Sequence, residues 1–535
     1  MGASSSTEQN VSGEQSQVET VAASTGALPM LQKAFPKLAN PETNAVSLEN
    51  LQKCFSVAYK EQSYVGNMPD LLPVLLDHLG SSIVDQFFVP AKGGVSWIQF
   101  VKGYNKCSAR MSVSMSLNML VRVFLATAGR ANLPLNLEFE SNDADCKING
   151  SFLPIHVLLL LLMCWVMSWD CRNLKYSQGK ANPTLPDLNH LALSAITSCA
   201  KLENNLNVWD SNISNLEVEL PAGKFVTWVT STVPCHPDIL RQYFHSKLQT
   251  LVTAGDALVS PDSFTGDIPS ITVCDHNILT HGRAWAISLT QKSAVNEEIS
   301  RVCFPSSGDD MDDNLVYRSS IHGRGLNRFW SRVEGYKGPL LILVAANSGD
   351  AQEGSSIDRN WVVGALTDQG FENKDMFYGS SGCLYALSPA FHVFPSTGNY
   401  VYSRLHPTGR VYEPNPKPVG IAFGGTLGNE RIFIDEDFVR VTVRHHAVDK
   451  TYQNGSLLPA QGFLPTEALI SEVEVWGLGG KEAMKVQNSY KKREELFTEQ
   501  RRKVDLKTFA NWEDSPEKMM MDMMSDPNAV RREDR

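Results

Sequence analysis

The sequence predicts an α+β protein: a helical N-terminal region, a C-terminal half of antiparallel strands flanked by helices, and a charged C-terminal helix. Three patterns carry that prediction. Leu31, Phe35 and Leu38, and then Leu48, Leu51 and Phe55, recur at helical spacing. In the C-terminal half, apolar residues 421–423 and 432–434 are separated by Gly424, Gly425, Leu427, Gly428 and Asn429. There Val473 and Val475 also alternate with Glu472 and Glu474, as a strand with one wet face requires. Beyond Lys481 the chain is charged and helix-prone, with one thin apolar stripe.

A chain of 535 residues has room for two or three domains with sizeable cores, and 42% hydrophobic with 20% charged residues is an ordinary globular composition. The net charge of -10 argues against a general nucleic-acid binder, which needs a basic surface. Ten cysteines without CxxC pairs suit a reducing compartment with free, mostly buried thiols. The first thirty residues are polar and contain no apolar stretch of signal-peptide length.

Residues 1–27 read as a disordered tail carrying a lipidation motif. Gly2, freed by methionine removal, and Ser6 fit the N-myristoylation pattern, because acyl transfer needs an unhindered α-amine. One acyl chain holds a membrane only marginally, so a second contact is expected. No basic cluster lies nearby, which points to a protein for that contact.

Residues 28–205 read as a helical, EF-hand-like region. With Val46 and Val95 as central loop residues, the calcium positions fall on Ala39, Pro41, Thr43 and Asn50, and on Phe88, Pro90, Lys92 and Gln99. A calcium loop needs carboxylates there, so no calcium is expected. Asp143 and Asp145 are followed by Lys147 where a third oxygen ligand belongs. The apolar run at residues 155–167 is shorter than a bilayer span and reads as a core helix. A further helical stretch follows around residues 188–202, and residues 216–220 alternate like a short strand.

Within residues 301–480 a series of motifs stands in a fixed order: residues 315–323, 326–329, 338–344, 361–365, 377–379 with 383–387, then Gly424-Gly425, 434–438 and 474–477. This series resembles the TLDc family, named for its oxidation-resistance members. The departures are an acidic insertion at 349–360 and a Pro-rich stretch at 407–418. The resemblance implies a two-sheet β-sandwich and a non-enzymatic interaction module. It also implies links to oxidative-stress resistance and to the vacuolar-type proton-pumping ATPase, whose assembly or activity such proteins modulate. Residues 206–300 resemble the connector of members with a helical N-terminal region. With Gly2, this is similar to an N-myristoylated EF-hand-like plus TLDc subgroup.

No residue constellation points to catalysis. The 424–429 loop opens a strand and lacks the Lys-Ser/Thr of a P-loop. Asp435 and Asp437, flanking Glu436, alternate to one side of a strand end but have no His beside them. Cys383 sits in an apolar strand and reads as a core thiol, although a peroxide-handling thiol enzyme is the alternative from a different class. Cys235, His236, Cys274, His276 and His281 lack zinc-module spacing. His445-His446 reads as a loop pair. The expected contact set for a protein partner is Gly424, Gly425, Asp435, Glu436, Asp437, Glu474 and Trp476, continued by Val486, Tyr490 and Phe497 on the helix of residues 481–535. The Met-rich run at 519–524 adds an adaptable apolar patch. Basic clusters at 491–493 and 501–503 leave a nuclear or nucleolar stress factor as a further alternative. The expected location is cytoplasmic and peripherally membrane-associated, at an endomembrane or the vacuole/lysosome.

Overall fold

Helical periodicity builds the first half of the chain. The computed structural model describes residues 5–57, 69–88, 94–173, 185–200, 207–209, 213, 216–253, 277–292, 295–304, 314–349, 359–398, 401–403, 419–512, 518 and 520. Helices α1 (Ser5–Ser24), α2 (Leu28–Leu38) and α3 (Leu48–Phe55) come first, with short strands β1 (Ala39–Asn40) and β2 (Ala45–Val46) between the last two. Then follow α4 (Leu71–Phe87), α5 (Trp97–Ser108), α6 (Val113–Arg130), the hairpin β3 (Asn136–Phe139) and β4 (Ile148–Phe152), α7 (Pro154–Asn173) and α8 (Asn189–Cys199). Strand β5 (Leu220–Pro221) leads into α9 (Ala222–Thr232), α10 (Asp238–Thr253), α11 (His281–Ser288) and α12 (Val295–Cys303).

The two helix–loop–helix units pair through the residues expected at their loop centres. Val46 and Val95 exchange backbone hydrogen bonds of 2.9 and 2.8 Å. Gln99, at the position of a calcium loop's last carboxylate, instead accepts the Ser96 N–H at 3.0 Å and closes a capping box. Phe88, at a first-ligand position, is buried and stacks on Phe55 and Phe100. Pro90 and Lys92 lie outside the described residues.

Two expectations for this half are corrected. The segment 1–27 is not a tail throughout, since α1 is helical from Ser5 and docks on α5. Ala22 joins the core, Glu19 accepts the Trp97 indole N–H at 2.6 Å, and the Asn105 amide donates to the Val18 carbonyl at 2.9 Å. Nor do the described residues of 206–300 form a mere connector. Phe225, Trp228, Tyr243, Phe244 and Trp285 are all buried, so α9–α12 belong to the same core as α2–α8. The alternation at 216–220 yields only β5. Helix α7 is long and apolar enough to cross a membrane by length and composition, and 78% of that stretch is buried inside the protein, packed among α4, α8 and α10.

The second half opens with β6 (Leu315–Arg318), α13 (Ser319–His322) and α14 (Leu326–Val333). Strands β7 (Leu340–Ser348), β8 (Arg359–Thr367), β9 (Lys374–Tyr378), β10 (Gly382–Ser388), β11 (His392–Pro395) and β12 (Val401–Ser403) follow. Then come β13 (Gly420–Thr426), β14 (Asn429–Asp435), β15 (Arg440–Val443), β16 (Thr466–Gly477) and helix α15 (Gly480–Trp512). Among the described residues, 11 strands share one antiparallel hydrogen-bonded path, β11-β10-β8-β7-β16-β15-β14-β13-β12-β9, with β6 added on β16. The two layers of the expected sandwich are therefore parts of one folded sheet, joined through β16. That strand pairs β15 with its first half and β6 with its second, and a bulge between Ile470 and Glu472 falls between them.

Each face of the central strands has its own core. Ile342, Val344, Val363 and Val475 pack with Ile421, Phe423, Ile432 and Ile434 of the other layer. Leu341, Leu343, Val362, Tyr385 and Trp476 point the opposite way, into the helical core. Burial on both faces is why residues 340–344 form an unbroken apolar run.

Candidate functional site

The polar half of the β16 alternation faces the helical region instead of water. Glu474 is fully buried, and its carboxylate accepts the backbone N–H groups of Ile278 at 2.8 Å and Leu279 at 3.2 Å, and the Trp476 indole N–H at 3.0 Å. Arg318 on β6 stands 3.7 Å away. Burial pushes this carboxyl up, against the pull of those donors. Its neighbour Glu472 takes hydrogen bonds from the Ser319 hydroxyl and the Ser320 N–H and pairs with Arg318 at 3.4 Å. Burial pushes Glu472 up too, but these partners outweigh it and hold the carboxyl below its ordinary value. Beside this seam, Asn277, Arg283, Trp361, Ser471 and Glu472 help line a cleft of about 310 Å³.

A second buried charge cluster explains the glycine pair. Arg431 on β14 is fully buried, with Nη1 3.3 Å from Asp449 and 2.5 Å from the Gln453 carbonyl, and Nη2 donating to Gly455 at 2.8 Å. Its guanidinium lies 4.5 Å over the Phe394 ring. Burial would raise the Asp449 carboxyl, but bonds from His446 and Thr451 and the Arg431 charge hold it well below the carboxylate range. Thr451 in turn accepts the Gly425 N–H at 2.8 Å. Gly425 has φ +78°, and a Cβ there would stand 2.2 Å from the Asn429 carbonyl and 2.8 Å from the His446 ring. The pair lets β13 approach this cluster closely, which is a packing role.

Among the described residues, helix α15 is anchored at its root. Ala483 and Met484 pack on the sheet core, and Gln487 donates to the Arg332 and Glu334 carbonyls at 2.6 and 3.2 Å. The Tyr490 hydroxyl donates to Glu334 at 3.0 Å, and its ring lies where a Cβ on Gly335 would clash at 2.4 Å. From Lys492 to Lys503 every residue is exposed, Leu496 and Phe497 included, at 58% and 60%.

From just after α11 to just after β16 the chain matches a family model. Residues 290–479 are a TLDc domain. TLDc proteins are linked to oxidative-stress resistance and are generally non-enzymatic. No curated protein matches the chain.

The TLDc domain sorts the expected contact residues into three groups. Glu474 and Trp476 are buried at the seam and Tyr490 is engaged by Glu334, so none of these is a free contact residue; the wet face expected of β16 is an internal interface. Asp435 and Asp437 do not share a strand face, because β14 ends at Asp435 and residues 436–437 turn. Asp435 accepts the Val439 N–H at 2.8 Å, and the Glu436 carbonyl accepts the Leu326 N–H at 2.7 Å at the start of α14. Val486 and Phe497, 43% and 60% exposed, remain open. Gly2, most of the Met-rich run, and nearly all of the acidic and Pro-rich insertions lie outside the described residues.

Seven of the thiols, Cys383 among them, are held protonated by burial. Burial pushes Cys383 up to about 11, Cys54 to about 12, and Cys199 and Cys235 to about 11, with Cys107, Cys164 and Cys303 higher still. A reactive cysteine needs the opposite shift. His236 is buried edge-on to Trp285 with burial lowering its pKa to about 4, while Cys274 and His276 lie outside the described residues. Among the described residues no cluster of His, Cys, Asp or Glu is arranged to hold a metal. His445 stacks on Phe463 at 4.9 Å, whereas His446 belongs to the Arg431 cluster. That cluster joins positions 18 residues apart across β15, and its only trace in the sequence is an arginine inside an apolar strand.

Proposed function

We propose that the chain is a non-enzymatic adaptor whose TLDc domain binds the vacuolar-type proton-pumping ATPase at a membrane and regulates it. The observation that carries this is α15: anchored through Lys491, it leaves the domain with Leu496 and Phe497 exposed. The helix continues for 21 residues beyond Lys491, about 30 Å, and those from Lys492 to Lys503 are exposed. A helix that long with a thin apolar stripe gains little alone and gains more against a partner. The family resemblance supplies the pump as that partner. The paired helix–loop–helix units and the Gly2 motif support placing the chain in the N-myristoylated EF-hand-like subgroup. In this mechanism the acyl chain raises the local concentration at an endomembrane, and the TLDc domain and α15 contact the pump's soluble sector.

Affinity purification of the full chain from solubilised membranes, beside a Gly2→Ala variant, tests the proposal. Pump subunits should co-purify with both, with the Gly2→Ala chain depleted from the membrane fraction before solubilisation. Recovery of no pump subunit would remove the partner, and an unmodified Gly2 by mass spectrometry would remove the anchor.

A further inference from the structure

Helix α1 is held on the protein by little. Most of its 20 residues are Ser, Thr, Asn, Val or Gly, weak helix formers that need a surface to pack on before the helix is stable in water. Among the described side chains from Gly13 to Ser24 only Ala22 is buried, with Gln15, Val18 and Glu19 half-buried. The Glu14–Lys102 ion pair is about half exposed on both sides, and a pair so placed contributes little. The connection to α2 turns through Gly26 at φ +73°, with open space where a Cβ would stand, so this end can hinge.

What α1 covers is chemically one-sided. The face of α5 presents donors: the Trp97 indole N–H to Glu19 at 2.6 Å, the Lys102 ammonium to Glu14, and the Asn105 amide to the Val18 carbonyl at 2.9 Å. Helix α1 answers with acceptors alone. The floor is aromatic, with the half-buried Trp97 ring edge-on to Phe35 at 5.3 Å and stacked on Phe100 at 6.4 Å. Glu14, Val18 and Ala22 follow one another at i, i+4 and i+8, and the small Ala22 lets the helix backbone come close.

We infer that this face of α5 is a helix-binding groove, that α1 is its exchangeable occupant, and that it receives an acidic helix of a partner protein. The seated α1 is the mould for that helix. It needs a carboxylate opposite Lys102, a second one opposite the Trp97 indole N–H, and small apolar residues at the places of Val18 and Ala22. Without an occupant, the ammonium, indole and amide donors lose their acceptors and the Trp97 ring loses its cover, which selects against an empty groove. Tethering gives α1 the equivalent of a millimolar local concentration, so a partner helix displaces it only by binding the groove more tightly. The inference rests neither on the pump nor on acylation of Gly2.

Fluorescence anisotropy with a labelled peptide of residues 5–26 tests this, against the full chain and its Val18→Asp/Ala22→Asp variant, in which a charge at the buried Ala22 position expels α1. The variant should bind the peptide with a Kd on the order of 0.1 mM, and the parent, its groove filled, at least about tenfold more weakly. A peptide carrying Glu14→Lys/Glu19→Lys should lose the binding. The variant should keep the parent's main unfolding transition, and in the parent hydrogen exchange should open residues 13–24 before α5 and α7. Equal binding by the two chains, none by the variant, or collapse of the main transition when α1 is released would overturn the proposal. A parent dimer that Val18→Asp/Ala22→Asp dissolves, read by light scattering, would assign the groove to α1 of a second copy and overturn it equally.

Discussion

Replacing Glu474 by alanine should uncouple the TLDc sheet from the helical region. The carboxylate is the acceptor for the Ile278 and Leu279 N–H groups and the Trp476 indole, and one of two acids beside Arg318. Hydrogen bonds to a charged group contribute about 1.5–3 kcal/mol each. Loss of the buried charge returns part of its desolvation cost, so the net effect falls near the about 3–5 kcal/mol typical of breaking a buried ionic contact. Glu474→Gln keeps one oxygen acceptor and should cost less. Urea unfolding followed by tryptophan fluorescence reads the total, and hydrogen exchange at Ile278 and Leu279 reads the seam itself. A change below about 1 kcal/mol with unaltered exchange at those two amides would refute the reasoning.

Three further outcomes follow from the same geometry. Gly425→Ala should destabilise the domain by more than about 2 kcal/mol, since it combines a left-handed φ with a clash against the Asn429 carbonyl; thermal unfolding checks it. Asp449→Asn leaves the buried Arg431 without its counter-ion and should cost about 3–5 kcal/mol in chemical denaturation. Acid should weaken the fold through His236 and His190, whose folded pKa values are lowered by burial from 6.5 to about 4 and about 3. The unfolded chain binds their protons first, so their stabilisation is complete above pH 6.5. It falls by about 1.4 kcal/mol per pH unit for each histidine as pH drops toward those folded values. Stability measured from pH 7 to pH 5 should show this slope, flattened by His236→Leu.

Much of the architecture was legible because it follows from local periodicity. Leu31, Phe35, Leu51 and Phe55 placed the first helices, and Val46 and Val95 were identifiable as loop centres that then proved to be hydrogen-bonded to each other. The turn glycines and alternating valines located β13, β14 and β16. What periodicity does not carry is which element covers a face. The glutamates of β16 look the same in sequence whether they meet water or the N–H groups of Ile278 and Leu279, about 195 residues away. The same blindness made a core-building segment, α9–α12, resemble a connector, and hid the pairing of Arg431 with Asp449. On α15 the helical stripe was visible, but not that Tyr490 and Gln487 are spent on α14's end while Phe497 stays open.

Binding of the full chain to purified soluble sector of the vacuolar-type ATPase, compared with a Leu496→Asp/Phe497→Asp variant by biolayer interferometry, tests the adaptor role most directly. The parent should bind, and the variant should fold normally, because both side chains are exposed, yet bind at least about tenfold more weakly. Equal binding by both chains, or none by the parent, would contradict an adaptor that works through its projecting helix.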